Sequence, residues 1–292
     1  MLIALVRGIS GLFSALPLNA ARAVGRRLGW IYGYVIRYHR RDATEALRRS
    51  LPETTEAERR QILKRMYLNL GMNLVEELRM GRMTDEELYD YVVWDGEAHI
   101  REVLKEGKGV IVLTAHMGNW CYLFSSPLRY NVHATIITKK IRNNTVNRYW
   151  TESRKRPWLN FVPAHHSYRQ CLASLRKNEL VGFILDQNMT REEGLFVDFF
   201  GKPACTSPGL AFMSAQSGAA VVPMFLLRQP NGRHLGKIFP PIPPPPDRKP
   251  ETILAYTQLY TKVIEDRVRQ VPDQWIWIHR RWRTQPAAPK QT

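Results

Sequence analysis

The run Val110-Ile111-Val112-Leu113-Thr114-Ala115-His116-Met117-Gly118-Asn119-Trp120-Cys121 decides how the chain is read. Its first residues form a short β-branched, apolar strand, which then runs out into a histidine, a glycine and an indole. A buried strand that ends in a polar, glycine-containing turn is where α/β proteins place their chemistry, at the carboxyl edge of the sheet. His116 is therefore the first candidate for a functional group.

Strand and helix signals alternate on both sides of this run. Before it, residues 97–106 read as an amphipathic helix ended by Gly107 and Gly109. After it the pattern predicts a helix near 119–128 and a strand over 134–138. A basic and polar run follows, Lys139 to Asn144, then a helix through Arg148, Trp150 and Arg154. Helix 167–178 opens at Ser167 and carries Cys171 on its apolar side, as a core residue. The buried strand Leu180 to Leu185 ends in Asp186-Gln187. Helix 208–217 leads to a strand over 219–227. The proline-rich stretch 240–250 is an extended connector. It is no domain boundary, because the amphipathic helix beyond it (Ile253, Leu259, Val263, Ile264, Val268) needs a core to bury against.

Upstream, Thr55 with Glu58 and Thr84 with Glu87 match capping boxes. Ile62, Leu63, Met66, Leu70, Leu74 and Leu78 recur at helical spacing, and Glu76 and Glu77 beside that stripe are expected to be solvated flank charges. Tyr91 to Trp94 reads as a strand. Alternation from 91 to 228 predicts a single α/β domain.

Leu2 to Leu16 is apolar but interrupted by Arg7 and closed by Pro17, short of the roughly 20 residues a membrane-spanning helix needs. Charge inside the run, and Arg22, Arg26 and Arg27 directly after it, do not fit a signal peptide. With Trp30, Tyr32, Tyr34, Arg37 and Tyr38 these residues describe a segment lying at a bilayer interface. The alternative is a helix packed on the domain. The expected organisation is a membrane-associated helical segment over 1–40, a domain over 41–285 and a flexible tail over 286–292.

Lys and Arg number 43 against 26 Asp and Glu, a formal charge of +17, which implies a polyanionic partner. Zinc-finger spacing, RNA-binding aromatics and heptads are missing from the sequence, so nucleic acid is not the expected partner. Eight tryptophans suit a membrane interface. Three cysteines, Cys121, Cys171 and Cys205, are too few and too dispersed for a disulfide framework or a zinc site, and fit a reducing cytosolic setting.

His116 can be read as a general base, a metal ligand or a core residue. A histidine base works best with a carboxylate on its other ring nitrogen. On a continuous helix, residues five apart point about 140° away from each other. His116 and residue 121 can therefore meet only if the helix starts near Gly118 or Asn119.

Thr114-Ala115-His116-Met117-Gly118-Asn119-Trp120 resembles the signature of the bacterial lipid A biosynthesis acyltransferases, the late lauroyl- and myristoyl-transferring enzymes. Arg40-Arg41, Leu51-Pro52-Glu53, Glu58-Arg59, Asp186-Gln187, Phe199 to Thr206 and Trp277 to Trp282 extend the resemblance over nearly the whole chain in order. The resemblance implies a single acyltransferase domain of α/β class, with a mixed central sheet flanked by helices and a membrane-associated helical N-terminus. It implies an enzyme on the cytoplasmic face of the bacterial inner membrane, with His116 as general base and no cofactor. The acyl donor would be a thioester, acyl carrier protein or acyl-coenzyme A, and the acceptor a glycolipid hydroxyl. A lysophospholipid or aminolipid acyltransferase of the same fold, or an inactive lipid-binding homologue, is the alternative.

The family motif carries an acidic residue where this chain has Cys121. Three readings follow. Asp186 supports His116 instead; Cys121 acts as a thiolate, orienting the base or taking the acyl group; or activity is lost. Lys139, Lys140 and Arg154 are candidates for an acceptor phosphate or the developing oxyanion, and Asn119 and Gln187 for supporting contacts. His279, beside Arg280 and Arg281, is expected to serve packing and surface charge, and His165-His166 to form a turn.

Overall fold

Parallel pairing around one fully buried strand sets the position of the site. The computed structural model describes residues 2–139, 141 and 143–287. Lys140 and residues 288–292 of the expected tail lie outside them. Strand β2 (Val110–Thr114) is buried at all five positions, as its unbroken apolar run requires. It pairs in parallel with β5 (Leu180–Ile184) on one side and with β8 (Val221–Arg228) on the other. Beyond β5 lie β3 (Ala134–Thr138) and β4 (Leu159–Pro163), also parallel. Beyond β8 lie β9 (His234–Ile238) and β1 (Val92–Asp95), giving a seven-stranded sheet in the order β1-β9-β8-β2-β5-β3-β4.

The sheet is mixed because β8 and β9 form a hairpin, the one antiparallel pair in it. Gly232, at φ +82°, makes the turn between them. Neither β4 nor β9 belongs to the expected set. In β9 the inward positions are His234, Gly236 and Ile238, so a histidine and a glycine hide the alternation. Gly236 is obligatory, since any Cβ there would enter the Trp94 ring. A separate antiparallel pair, β6 (Leu195–Asp198) with β7 (Pro203–Thr206), stands outside this sheet.

Eleven α-helices are described, and several match the expected caps. Helix α4 (Glu56–Met80) and α5 (Asp85–Tyr91) each begin with a complete capping box, on Thr55 and Thr84. Helix α6 (Glu97–Lys105) precedes β2, and α9 (Tyr168–Arg176) precedes β5. The helix expected near 119–128 is instead a 3-10 turn, Trp120–Ser125, followed by a separate short helix α7 (Ser126–Tyr130). Pro127 accounts for the break, because it favours the first turn of a new helix and has no N–H to continue the old one. Helix α8 (Asn144–Ser153) carries Trp150, and α10 (Gly209–Ser217) leads to β8.

The last helix, α11 (Pro250–Gln270), buries Ile253, Tyr260, Ile264 and Val268 against the core, which fixes the proline-rich stretch as a strap over the domain. Ile242 in that strap exchanges two backbone hydrogen bonds with Val221, 2.8 and 2.9 Å.

Helices α1 (Leu2–Ala15) and α2 (Leu18–Trp30), a π-turn (Ile31–Val35) and α3 (Arg40–Ser50) form the N-terminal part. Helix α2 packs on α4 through glycines rather than apolar knobs. Backbone meets backbone at Gly25, Gly29 and Gly71, and a Cβ at any of them would enter the opposite main chain. On the other side Leu5, Ile9, Leu12, Val24, Leu28, Trp30, Ile31, Val35 and Ile36 are exposed. The segment is thus packed on the domain and carries an uncovered apolar face as well. Among the described residues no helix is long and apolar enough to cross a membrane.

Candidate active site

Strand register places the two principal groups side by side. Thr114 pairs with Ile184 in the parallel β2–β5 ladder, so residues two positions further along each strand emerge together. Those residues are His116 and Asp186. His116 Nδ1 lies 2.7 Å from Asp186 Oδ1. The backbone N–H of His116 donates to Oδ2 at 2.9 Å, and the Trp275 indole N–H donates to the same oxygen at 2.7 Å. With its carboxylate accepting at Nδ1, the imidazole carries its proton there and presents the Nε2 lone pair to the cavity. The Gln187 amide nitrogen is 3.3 Å from Nε2, and the Trp120 ring stands edge-on at 5.0 Å between centroids.

Asp186 is only 4% exposed. Burial alone would raise its carboxyl, but attraction to His116 and the hydrogen bonds from His116 and Trp275 outweigh this and hold it below the usual carboxylate range. It is the ionised partner that a histidine base requires.

The turn after His116 is fixed from three sides. Gly118 adopts φ +55°, and a Cβ there would overlap the Leu226 carbonyl oxygen. Its N–H donates to the Gln274 carbonyl at 2.9 Å, and the Ile276 N–H donates to the His116 carbonyl at 3.3 Å. Asn73 Nδ2, from α4, donates to the Gly118 carbonyl at 2.5 Å. Gln274 and Ile276, just before the stretch Trp277 to Trp282, therefore clamp the loop. Trp275 and Trp277 are buried, and Arg281 is buried too, donating to the carbonyls of Gln187 and Cys205.

The other candidate residues divide. Cys121 is brought to Glu77: its thiol donates to Glu77 Oε1 at 2.9 Å. Arg154 Nη2 donates to Glu77 Oε2 at 2.6 Å and lies 3.6 Å from the sulfur. Burial pushes the Cys121 thiol well above its ordinary value, Glu77 adds to this, and Arg154 opposes it. Asn119 is fully buried and donates to Glu76 Oε2 at 2.7 Å, so it anchors the turn from behind. Lys139 and Gln187 line the same cavity as His116 and Glu77. That cavity holds about 600 Å³ and is walled by Ile136, Ile137, Phe183, Leu185, Met189 and Met213 among others. His165 and His166, a bend as expected, also line it.

Glu76 and Glu77 correct the expectation of solvated flank charges. Glu77 faces the cavity. Glu76 has no exposed surface and gathers Arg22 Nε and Arg228 Nη1 at 2.5 Å each and His234 Nε2 at 3.0 Å, besides Asn119. Burial would raise its carboxyl, but His234 and Arg228 hold it well below the carboxylate range. These partners lie 43 to 158 positions away in sequence, so local pattern carries no sign of them. His279 is partly buried, and burial, with His116, Arg281 and Lys139 nearby, lowers its pKa to about 4 against the pull of Asp186. Among the described residues no three or more His, Cys, Asp or Glu side chains gather as a metal site.

The profile of the family described as bacterial lipid A biosynthesis acyltransferase matches residues 1–284. A lipid A biosynthesis acyltransferase of Haemophilus influenzae is 26% identical over 94% of this chain and 85% of its own. The lipid A biosynthesis lauroyltransferase of Escherichia coli is 26% identical over 96% of this chain and 90% of its own. The crystal structure of a 1-acyl-sn-glycerophosphate acyltransferase from Thermotoga maritima aligns with a TM-score of 0.38 at 17% identity, covering 86% of this chain and 96% of that one.

Proposed function

From the chain's membership in the bacterial lipid A biosynthesis acyltransferase family, we propose that it moves a fatty acyl chain from an acyl thioester to a hydroxyl of a lipid A-like glycolipid, with His116 as general base. The observation that carries the mechanism is the His116–Asp186 pair at the edge of a largely apolar cavity. Its volume of about 600 Å³ falls within the usual range of ligand pockets.

The acceptor hydroxyl approaches His116 Nε2, displacing the loosely held Gln187 amide, and gives up its proton as its oxygen attacks the thioester carbonyl. Asp186 steadies the imidazolium. The carbonyl π electrons move to oxygen, and the resulting oxyanion needs a cation or N–H donor. Lys139 and Arg154 are the basic side chains proposed for it, or for an acceptor phosphate. Collapse expels the thiolate, which takes the proton back from Nε2, leaving ester and free thiol. Of the readings open for Cys121, support by Asp186 is the one this geometry favours, since the thiol is turned to Glu77 and its proton is held by burial.

The donor is proposed to be acyl carrier protein, an acidic partner that suits a net charge of +17. The exposed apolar residues of α1, α2 and the π-turn, flanked by exposed Arg26, Arg27 and Arg37, are proposed to seat the enzyme on the inner membrane's anionic cytoplasmic face without spanning it.

The test is the mass of lipid A from cells lacking and overproducing the protein. A shift of one acyl chain supports the reading. An unchanged lipid A with altered glycerophospholipids would sink it in favour of a lysophospholipid acceptor.

A further inference from the structure

Cys121 and Glu77, on the cavity wall, close a triangle with Arg154 just behind it, and the mechanism above gives neither Cys121 nor Glu77 a part. Arg154 is nearly out of solvent, its side chain 3% exposed, and its guanidinium lies over the Trp150 ring at 4.1 Å. A cation so buried needs a counter-charge, because an unpaired one costs several kcal/mol. Among the described residues Glu77 is the one carboxylate within ion-pair distance of it.

We propose that Glu77 is the positioning carboxylate of the transfer site, holding Arg154 against the back of the cavity wall in place of an acidic residue at 121. The proposal rests on the acyl-transfer reading above and adds to it a second carboxylate, remote in sequence from the motif.

Three observations support it. Glu77 divides its two oxygens between the partners, Oε1 to the Cys121 thiol and Oε2 to Arg154. The Cys121 sulfur stands 3.6 Å from Arg154 Nη2, so an aspartate at 121, with its oxygens one bond further out, reaches hydrogen-bond range of the same guanidinium. Position 121 and Glu77 thus address one cation from two directions, and two carboxylates there would repel each other across a gap now bridged at 2.9 Å. The thiol fits that gap because it is neutral and donates. Glu77 is turned to this place by its neighbour, since Glu76 is locked in the buried cluster beneath Asn119. Successive helix residues point about 100° apart, which leaves Glu77 facing the cavity.

The consequence is that acidity at 77 and at 121 should be interchangeable but not additive. Glu77→Gln, close in shape, is expected to lower kcat about tenfold or more with little change in KM for the thioester. Adding Cys121→Asp to Glu77→Gln restores most of that loss, whereas Cys121→Asp alone, with two carboxylates against one cation, falls below wild type. Full kcat in Glu77→Gln, or a double variant no better than the single, overturns the proposal.

A second readout does not depend on turnover. Modification of Cys121 by methyl methanethiosulfonate, followed by peptide mass across pH, reports the thiol directly. Glu77→Gln removes the negative charge that disfavours the thiolate and leaves Arg154 beside the sulfur, so the midpoint should fall by about one pH unit or more. An unmoved midpoint contradicts the pairing. Should wild type transfer no acyl group to any acceptor, the acyl-transfer reading fails on its own, and the thiol midpoint still decides whether Glu77 governs this pair.

Discussion

Replacing Asp186 by asparagine should silence the enzyme while leaving it folded, and the hydrogen bonds set the size of both effects. The carboxylate accepts from the His116 ring, the His116 backbone and Trp275. An asparagine in its place must aim its NH2 one of two ways. Aimed at His116 N–H and Trp275, it opposes two buried donors with a third, at about 1–3 kcal/mol for each left unmade. Aimed at the ring, it meets Nδ1, which can become an acceptor by moving its proton to Nε2. The second arrangement is cheaper and is the one expected. It converts Nε2 from acceptor to donor and removes the base. The equivalent change in a serine-protease triad lowers kcat about 10⁴-fold, and a loss of about 10²–10⁴ is expected here, roughly 3–5 kcal/mol in the barrier. Stability should fall by only about 1–3 kcal/mol. Single-turnover acyl transfer and thermal unfolding on the same preparation separate the two. A variant within about threefold of wild-type kcat would refute the tautomer argument.

Further outcomes follow from the buried charges and the exposed apolar face. Glu76→Gln leaves Arg22 and Arg228 without their counter-charge and should cost about 3–5 kcal/mol in urea unfolding; a change below about 1 kcal/mol would contradict the cluster's role. His279, neutral when folded with its pKa lowered to about 4, takes up a proton on unfolding, so stability should fall as pH drops from about 6.5 towards 4. The loss from this residue, discounted for partial exposure, is about 2 kcal/mol, and His279→Gln should flatten that part of the curve; an unchanged slope would assign it elsewhere. Leu12→Glu with Val35→Glu should reduce co-sedimentation with anionic vesicles about tenfold without lowering Tm, and undiminished binding would remove the N-terminal face from the account.

Residues whose role depends on local pattern were legible in the sequence, and those whose role depends on distant partners were not. The strand 110–114 and its histidine declare themselves by composition, and the capping boxes on Thr55 and Thr84 by spacing, and all are present. Asp186 was within reach because it too ends a buried strand, although only the parallel register sets it against His116. Glu76 and Glu77 look like helix-flank charges until residues from β8, β9 and the 120–125 turn arrive around them. The glycines that let α2 touch α4 carry no hydrophobic signal, and β9 lost its alternation to His234 and Gly236.

The central claim is that His116, supported by Asp186, removes the proton from a glycolipid hydroxyl as the thioester is attacked. Its most direct test is transfer of a labelled acyl chain from acyl carrier protein to a lipid A precursor by purified protein, wild type beside His116→Ala. The account predicts a product one acyl chain heavier with wild type and a rate at least about 10²–10⁴ lower in the variant. Equal rates from the two proteins would contradict it.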